Sequence, residues 1–479
     1  MLQEASPAHP KAWKVMLALI MAEISAASAL AMPLPALASW LEMYGSPIAV
    51  GWIMSSFLLV SAAVAALCGS LGDRYGRKRV ILIILTFLII GSVMSAWTDQ
   101  LGWVIAGRCL QGAVGAVLPL ILGLSREALP PAKVSMGFGI IIASASGASA
   151  IGFPVAGYLT DHFGPSSIFW VLVLLGVLAF GAIGLILPAS RPPARAVQGV
   201  DWLGGLLFAP AVALILLGIS GGRQGGWMAT MMWPMLLVGA VMLVFWYWHE
   251  RRHPAPLIDV RLFTDRRCQI ALVVAALVAV GAFQMTEAVA LLLQQPVWTG
   301  AGLALTATMA GLFKLPGTIG GTLSSIVTGL VAGRRGPLPG LIGGAALIVA
   351  TSVLAIFFHD EVAAVVIAYV MVSIGVTAVY TSVPILIALG TPADRTSEAM
   401  GVMAVVRALF QGTGAQIVAV LLASWTVTGP TGIQFPADTA YSVVFAYVGL
   451  TALLIVLIAL PLLGRSLRPA VGGVAHAAH

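Results

Sequence analysis

The stretch "GSLGDRYGRKRV", residues 69–80, lies between two apolar runs near residues 47–71 and 78–97. Its twelve residues carry four cations, one acid and three glycines. The flanking runs carry almost no charge. This is the pattern of a tight polar turn between two helices whose own surroundings exclude charge. A helix needs about 20 apolar residues to cross the ~30 Å hydrocarbon layer, and both flanking runs are long enough.

The rest of the chain follows the same rule. Its 479 residues are 60% hydrophobic and 9% charged, with mean hydropathy +1.04. Soluble domains carry about 25% charged residues, so lipid is the solvent these side chains call for. Fourteen apolar segments are predicted, near 13–38, 47–71, 78–97, 101–124, 134–159, 165–187, 202–219, 228–248, 268–293, 302–331, 337–358, 362–389, 396–425 and 440–463. With the N-terminus inside, 20 of the 24 Lys and Arg fall in cytoplasmic turns and tails, and Arg223 alone falls outside. Arg108, Lys314 and Arg407 lie within segments. This asymmetry is the positive-inside signature, and it places both termini in the cytoplasm. The net charge of +7 therefore describes membrane orientation, not nucleic-acid binding.

Other chemistries are disfavoured. No Gly-Lys dipeptide occurs, so the phosphate-cradling P-loop is missing. Cys68, Cys109 and Cys268 show no paired spacing. The seven histidines avoid the apolar centres, and no metal site is expected. The first segment is too long for a cleaved signal core and further spans follow it. Nothing in the pattern points to an enzyme or to a cofactor.

The chain reads as doubled. The basic turn 69–80 is echoed by "GLVAGRRGPL", residues 329–338, and "GRCLQGAVGAV", residues 107–117, by "VRALFQGTGAQ", residues 406–416. Two six-helix halves, 1–187 and 268–479, then flank two additional helices with their linkers at 188–267. Internal repeats of this kind mark secondary transporters, with the substrate site near the midplane.

Residues 69–80 resemble the signature loop of the major facilitator superfamily at Gly69, Leu71, Asp73, Arg74, Gly76, Arg77 and Lys78. Arg108, Gln111, Gly112 and Gly115 are similar to that family's fourth-helix pattern. Gly147, Gly152, Pro154 and Gly157 resemble its antiporter helix, although Phe153 separates Gly152 from Pro154. The resemblance implies an all-α integral membrane protein with 14 transmembrane helices. Fourteen helices resemble the drug:proton antiporter branch. The first motif implies a cytoplasmic latch: Asp73 faces the start of segment thirteen, where Thr396 or Ser397 serves as N-cap, and Arg77 pairs with Glu127.

Ionisable groups at membrane depth cost at least ~2.5 kcal/mol and point to function. Glu23 is the expected proton carrier, with Arg108 tuning it; a structural Glu23–Arg108 salt bridge is the competing reading. Glu287 is a second protonation site or a substrate anchor. Arg407 reads as the repeat-related counterpart of Arg108. Gln111 and Gln411 are either substrate hydrogen-bond groups or interhelical pairs. Lys314 either pairs with Glu287 or faces the cavity to meet an anion. Glu287 lies about 9 Å and Lys314 about 18 Å from the outer ends of their segments, a mismatch that opposes pairing. Pro316 beside Lys314 predicts an irregular helix there.

The expected function is proton-coupled export of drugs or small amphipathic compounds by alternating access. The location is a bacterial-type inner membrane and the assembly a monomer. The partners are a small-molecule substrate and the bilayer, with no nucleic acid and protons as the only coupling species. A specific metabolite or organic-anion transporter and a lipid transporter remain alternatives. A membrane sensor is a weaker one, because no loop is long enough for a sizeable soluble domain.

Overall fold

The computed structural model describes residues 12–44, 47–188, 201–225, 231–253, 256, 258, 265–305, 307–428 and 434–462. Arg191, Arg195, Arg261, Arg465 and Arg468, part of the basic-loop pattern, lie outside the described residues. Eight helices come first: α1 (Ala12–Ala31), α2 (Leu37–Tyr44), α3 (Pro47–Tyr75), α4 (Arg77–Trp97), α5 (Leu101–Gln111), α6 (Val117–Ala128), α7 (Pro131–Phe163) and α8 (Ser167–Ile186). Two more follow, α9 (Trp202–Gly225) and α10 (Met232–Arg252). The remainder are α11 (Arg266–Val280), α12 (Ala282–Gln294), α13 (Ala307–Arg335), α14 (Leu338–Phe358), α15 (Val362–Gly390), α16 (Thr396–Ser424) and α17 (Asp438–Ala459). The fold is all-helical, as expected, apart from a small antiparallel ribbon of β1 (Thr426–Thr428) and β2 (Gln434–Pro436).

Twelve helical stretches among the described residues are long and apolar enough to cross a membrane, or thirteen when the two arms of the bent α3 form one span. A shorter apolar helix at Leu203–Ile219 lies within α9. On α10, Leu237, Val241 and Val244 are 67%, 60% and 70% exposed. They form an i, i+4, i+7 stripe that only lipid makes tolerable.

Three predicted segments are broken, each for a visible reason. Segment one ends as α1 at Ala31, because Pro33 and Pro35 lack the amide hydrogens a helix needs. Segment four divides at a 3₁₀ stretch, Gly112–Ala116. There a Cβ on Gly112 would lie 2.8 Å from the Phe57 carbonyl oxygen of α3, so close approach to α3 sets the local path. Segment nine divides at Gly281, where a Cβ would collide with Thr451. Segment ten begins late. Residues 303–305 turn back so that Leu303, Ala304 and Leu305 donate to the carbonyls of Leu292, Gln295 and Leu293 at 3.3, 2.8 and 2.8 Å. These bonds satisfy the orphan carbonyls at the end of α12. The helix is continuous through Pro316, contrary to the expected irregularity.

The chain clusters into two compact units, Met1–Gly137 with Ser144–Leu262 and Pro392–Val405, and Phe138–Ala143 with Phe263–Thr391 and Val406–His479. The stretch expected as a separate insert groups with the first unit as far as Leu262. In that unit a Cβ on Gly91 of α4 would sit 2.5 Å from the Gly107 carbonyl of α5. In the second, a Cβ on Gly344 of α14 would sit 2.7 Å from the Gly375 carbonyl of α15. Each crossing follows a turn whose glycine has positive φ, 97° at Gly76 and 80° at Gly336. The repeat therefore matches α5 with α15. Arg407, on α16, is one span too late to be the counterpart of Arg108, which corrects the sequence reading.

At φ 97° and ψ 119°, Gly76 occupies backbone space that L-residues avoid, so Gly76→Ala is expected to cost about 1–3 kcal/mol. Gly102→Ala is the control, because nothing lies within 4 Å of its Cβ position. Melting in detergent should show Gly76→Ala lowered and Gly102→Ala unchanged or raised.

Candidate functional site

The signature turn is assembled by helix ends. α3 bends by 44° between Gly51–Ala65 and Leu67–Tyr75, just ahead of Gly69. A Cβ on Gly69 would collide with the carbonyl oxygen of Ser397, so glycine lets α3 lie directly against the start of α16. Asp73, 7% exposed, accepts from the backbone amide of Glu398 at 2.8 Å. The acid thus supplies the cap that the sequence assigned to Thr396 or Ser397. Thr396 instead donates to Pro392 and Ala393 carbonyls and accepts from Arg126 Nη1 at 2.8 Å.

Arg77 is the hub of this turn and only 2% exposed. Its guanidinium binds Asp73 Oδ1 at 2.7 Å and lies 2.6 Å from Glu127 Oε1. It also donates to the carbonyls of Gly123 at 2.9 Å and Ala393 at 2.8 Å. Arg74 donates to the Pro256 carbonyl. Lys78 donates to the Gly184 and Leu187 carbonyls, at 2.8 Å for the first, a cation placed where the end of α8 favours one.

Arg108 is fully buried at the foot of the 3₁₀ break. It donates to the carbonyls of Ile53 at 3.1 Å and Ala29 at 2.8 Å and to Gln111 Oε1 at 2.7 Å. Its Cζ sits 4.2 Å from the Phe57 ring centroid. One guanidinium therefore joins α1, α3 and α5. Glu23, 5% exposed, is on α1 six residues before Ala29, about 9 Å along the axis. Arg108 thus binds the α1 backbone six residues beyond the acid expected to carry the proton.

Arg407 stacks toward Tyr380 at 5.5 Å, and Lys314 Nζ lies 5.8 Å from the Tyr369 ring centroid. Both fall within the ~6 Å reach of cation–π attraction. Gly317 explains the second contact, since a Cβ there would be 2.5 Å from the Tyr369 ring. Glu287 is seven residues before the end of α12 and Lys314 seven after the start of α13, about 10 Å along each helix. The Glu287 side chain lies outside the described residues. Gln411 takes part through its backbone carbonyl, which accepts from Gln284 Nε2 at 3.0 Å.

Of the antiporter-like glycines, Gly152 alone has a neighbour at Cβ range, Met32 Cγ at 3.3 Å; Gly147 and Gly157 face open space among the described residues. The α7 helix runs through Pro154. Sequence reading missed Gln284, 2% exposed, which also binds the Ala279 carbonyl at 2.9 Å across the Gly281 break. It also missed Gln295, which joins Thr299, Pro436 and Tyr441. A glutamine inside an apolar run was the available signal for the first.

Long apolar helices with exposed apolar faces, and a basic turn clasped by a buried Asp–Arg pair, define a multi-pass membrane architecture. Residues 19–202 match the family profile described as Major Facilitator Superfamily. The chain is 28% identical to the multidrug resistance protein Stp of Mycobacterium tuberculosis (strain CDC 1551 / Oshkosh), over 78% of this chain and 69% of that one. It is 31% identical to a probable actinorhodin transporter of Streptomyces coelicolor, over 63% and 52%. The alignments span about half the length of the first curated relatives it matches. The solved proton:xylose symporter XylE has the same fold, with TM-score 0.66 at 12% identity, covering 95% of each chain. Over residues 19–202 the chain thus resembles the major facilitator superfamily, and as a whole it shares the fold of a solved transporter of that name.

Proposed function

We propose that this protein is a proton-coupled exporter of small amphipathic compounds working by alternating access. The observation that carries export is the likeness to a multidrug resistance protein and to a probable actinorhodin transporter. Glu23, a carboxyl buried mid-helix in α1, supports proton coupling, because burial and a changing electrostatic environment move a carboxyl's affinity for its proton. The Asp73–Arg77 latch supports a cycle in which the start of α16 is held and released. The distribution of Lys and Arg supports fourteen spans, α9 included, with both termini in the cytoplasm of a bacterial-type inner membrane. The proposed assembly is a monomer, and protons are the only coupling species invoked.

Reconstitution into liposomes with an imposed pH gradient tests this reading. A lipophilic fluorescent cation should move against the proton flux and stop when the gradient is collapsed. Transport indifferent to the gradient would overturn the coupling.

An organic-anion substrate is the second reading, favoured by Lys314 over Tyr369 in α13 and α15. Under it, Lys314→Ala should depress transport of a fluorescent organic anion while leaving a cationic dye unaffected. Unchanged selectivity between the two dyes would remove this reading.

A further inference from the structure

The two added helices carry a side-chain cluster that the transport reading leaves unused. Asp201 precedes α9 and is 4% exposed. Its Oδ1 accepts from the Gly204 amide at 2.8 Å, the bond of an N-cap. Its Oδ2 turns to the last turn of α10, 2.8 Å from His249 Nε2 and 3.8 Å from His253 Nδ1. The sequence there is "HERRH", residues 249–253. That spacing sets the second imidazole four residues after the first, on the extended residue that caps the end of α10; metal sites use histidines at this spacing.

The three donor atoms all lie within 4.8 Å of one another. Zinc takes nitrogen and carboxylate oxygen ligands at about 2.0–2.2 Å in tetrahedral geometry, so small side-chain shifts bring the three into one coordination sphere. A second carboxylate stands behind the first. Glu250 is 2% exposed, and a Cβ on Gly204 would be 2.7 Å from both Glu250 Oε1 and Asp201 Oδ2. Glycine at 204 therefore makes the space in which two acids approach. The neighbouring cations are turned elsewhere: Arg251 sits over Tyr247 at 5.8 Å and Arg252 over Trp248 at 3.8 Å.

We propose that Asp201, His249 and His253 form a binding site for a zinc-class divalent cation that clamps the start of α9 to the end of α10, with Glu250 adding negative charge behind Asp201. The clamp has a route to the signature turn. Residue 253 leads into 256, whose carbonyl accepts from Arg74 of the turn. Ile258 also donates its amide to Glu250 Oε1 at 3.4 Å. Residues 256 and 258 follow the clamp closely in sequence, so fixing Glu250 and His253 restrains the Pro256 carbonyl on which Arg74 rests. The earlier expectation of no metal site rested on histidines lying outside apolar centres, and it passed over their i, i+4 spacing at a helix end.

The test uses the full chain in detergent, stripped with a chelator and titrated with Co²⁺ and Zn²⁺. Wild type should take up one equivalent of Co²⁺ with the visible absorption of tetrahedral coordination, and Zn²⁺ should displace it. The double variant His249→Ala/His253→Ala should lose affinity by on the order of a hundredfold while eluting as the wild type does. If that variant aggregates, His253→Asp against His253→Asn decides, since only the carboxylate can replace the ligand. No uptake by wild type overturns the site. So does equal binding by the double-alanine variant, which would place the ion on other histidines such as His476 and His479, or equal binding by the Asp and Asn variants.

Discussion

Arg77→Ala is expected to abolish transport and to lower the melting temperature more than any other single change in the basic turn. The guanidinium is 2% exposed and contacts Asp73, Glu127 and the Gly123 and Ala393 carbonyls. Removing one member of a buried ion pair leaves the other charged and desolvated, at a cost of about 3–5 kcal/mol. Two carbonyls lose their donor as well. Arg77→Lys should recover little, because an ammonium cannot reproduce the planar fork that reaches all four acceptors. Melting of purified protein and dye transport in liposomes check both effects. A variant with wild-type stability and transport would remove Arg77 from the latch. Glu127→Gln makes the graded comparison: its side chain is 45% exposed, so water screens the lost charge and the effect should be small.

Glu23→Gln is expected to move the two readouts apart. The amide keeps the shape of the side chain and cannot titrate. Gradient-driven transport should fall to the level of empty liposomes. Stability should hold or rise, because a 5%-exposed carboxyl no longer brings an ionisable group into the membrane. Retained gradient-driven transport would remove Glu23 as the proton carrier and turn attention to Glu287. Loss of transport together with loss of stability would make Glu23 a structural residue.

Much of the site was legible because helix spacing is a local property. The reach of Asp73 toward the start of segment thirteen follows from an acid in a helix-ending turn and an amide-rich helix start, and the Asp73–Glu398 bond of 2.8 Å is that contact. Arg77 and Glu127 could be matched for similar reasons, each at a helix end on the same face of the membrane. Partners drawn from the backbone were not legible. Nothing in the residues around Arg108 says that it would take carbonyls from Ile53 and Ala29, since every residue carries a carbonyl and only packing selects one. The repeat was half read: the two basic turns, 69–80 and 329–338, each hold a positive-φ glycine ahead of a matching helix crossing, whereas a similarity of Arg and Gln-Gly spacing placed Arg407 one span out of phase.

By itself, the sequence determined the solvent, the approximate spans and the glycine-marked basic turns between them, because hydropathy and turn chemistry are fixed within a few residues. The tertiary structure alone decided which charges share a partner. It set Lys314 over Tyr369, folded residues 303–305 back on the end of α12, and brought Asp201 to His249 across 48 residues of chain. In a medium that supplies no water to an ionised side chain, such pairings depend on which helices lie side by side, and no local window of sequence contains that information.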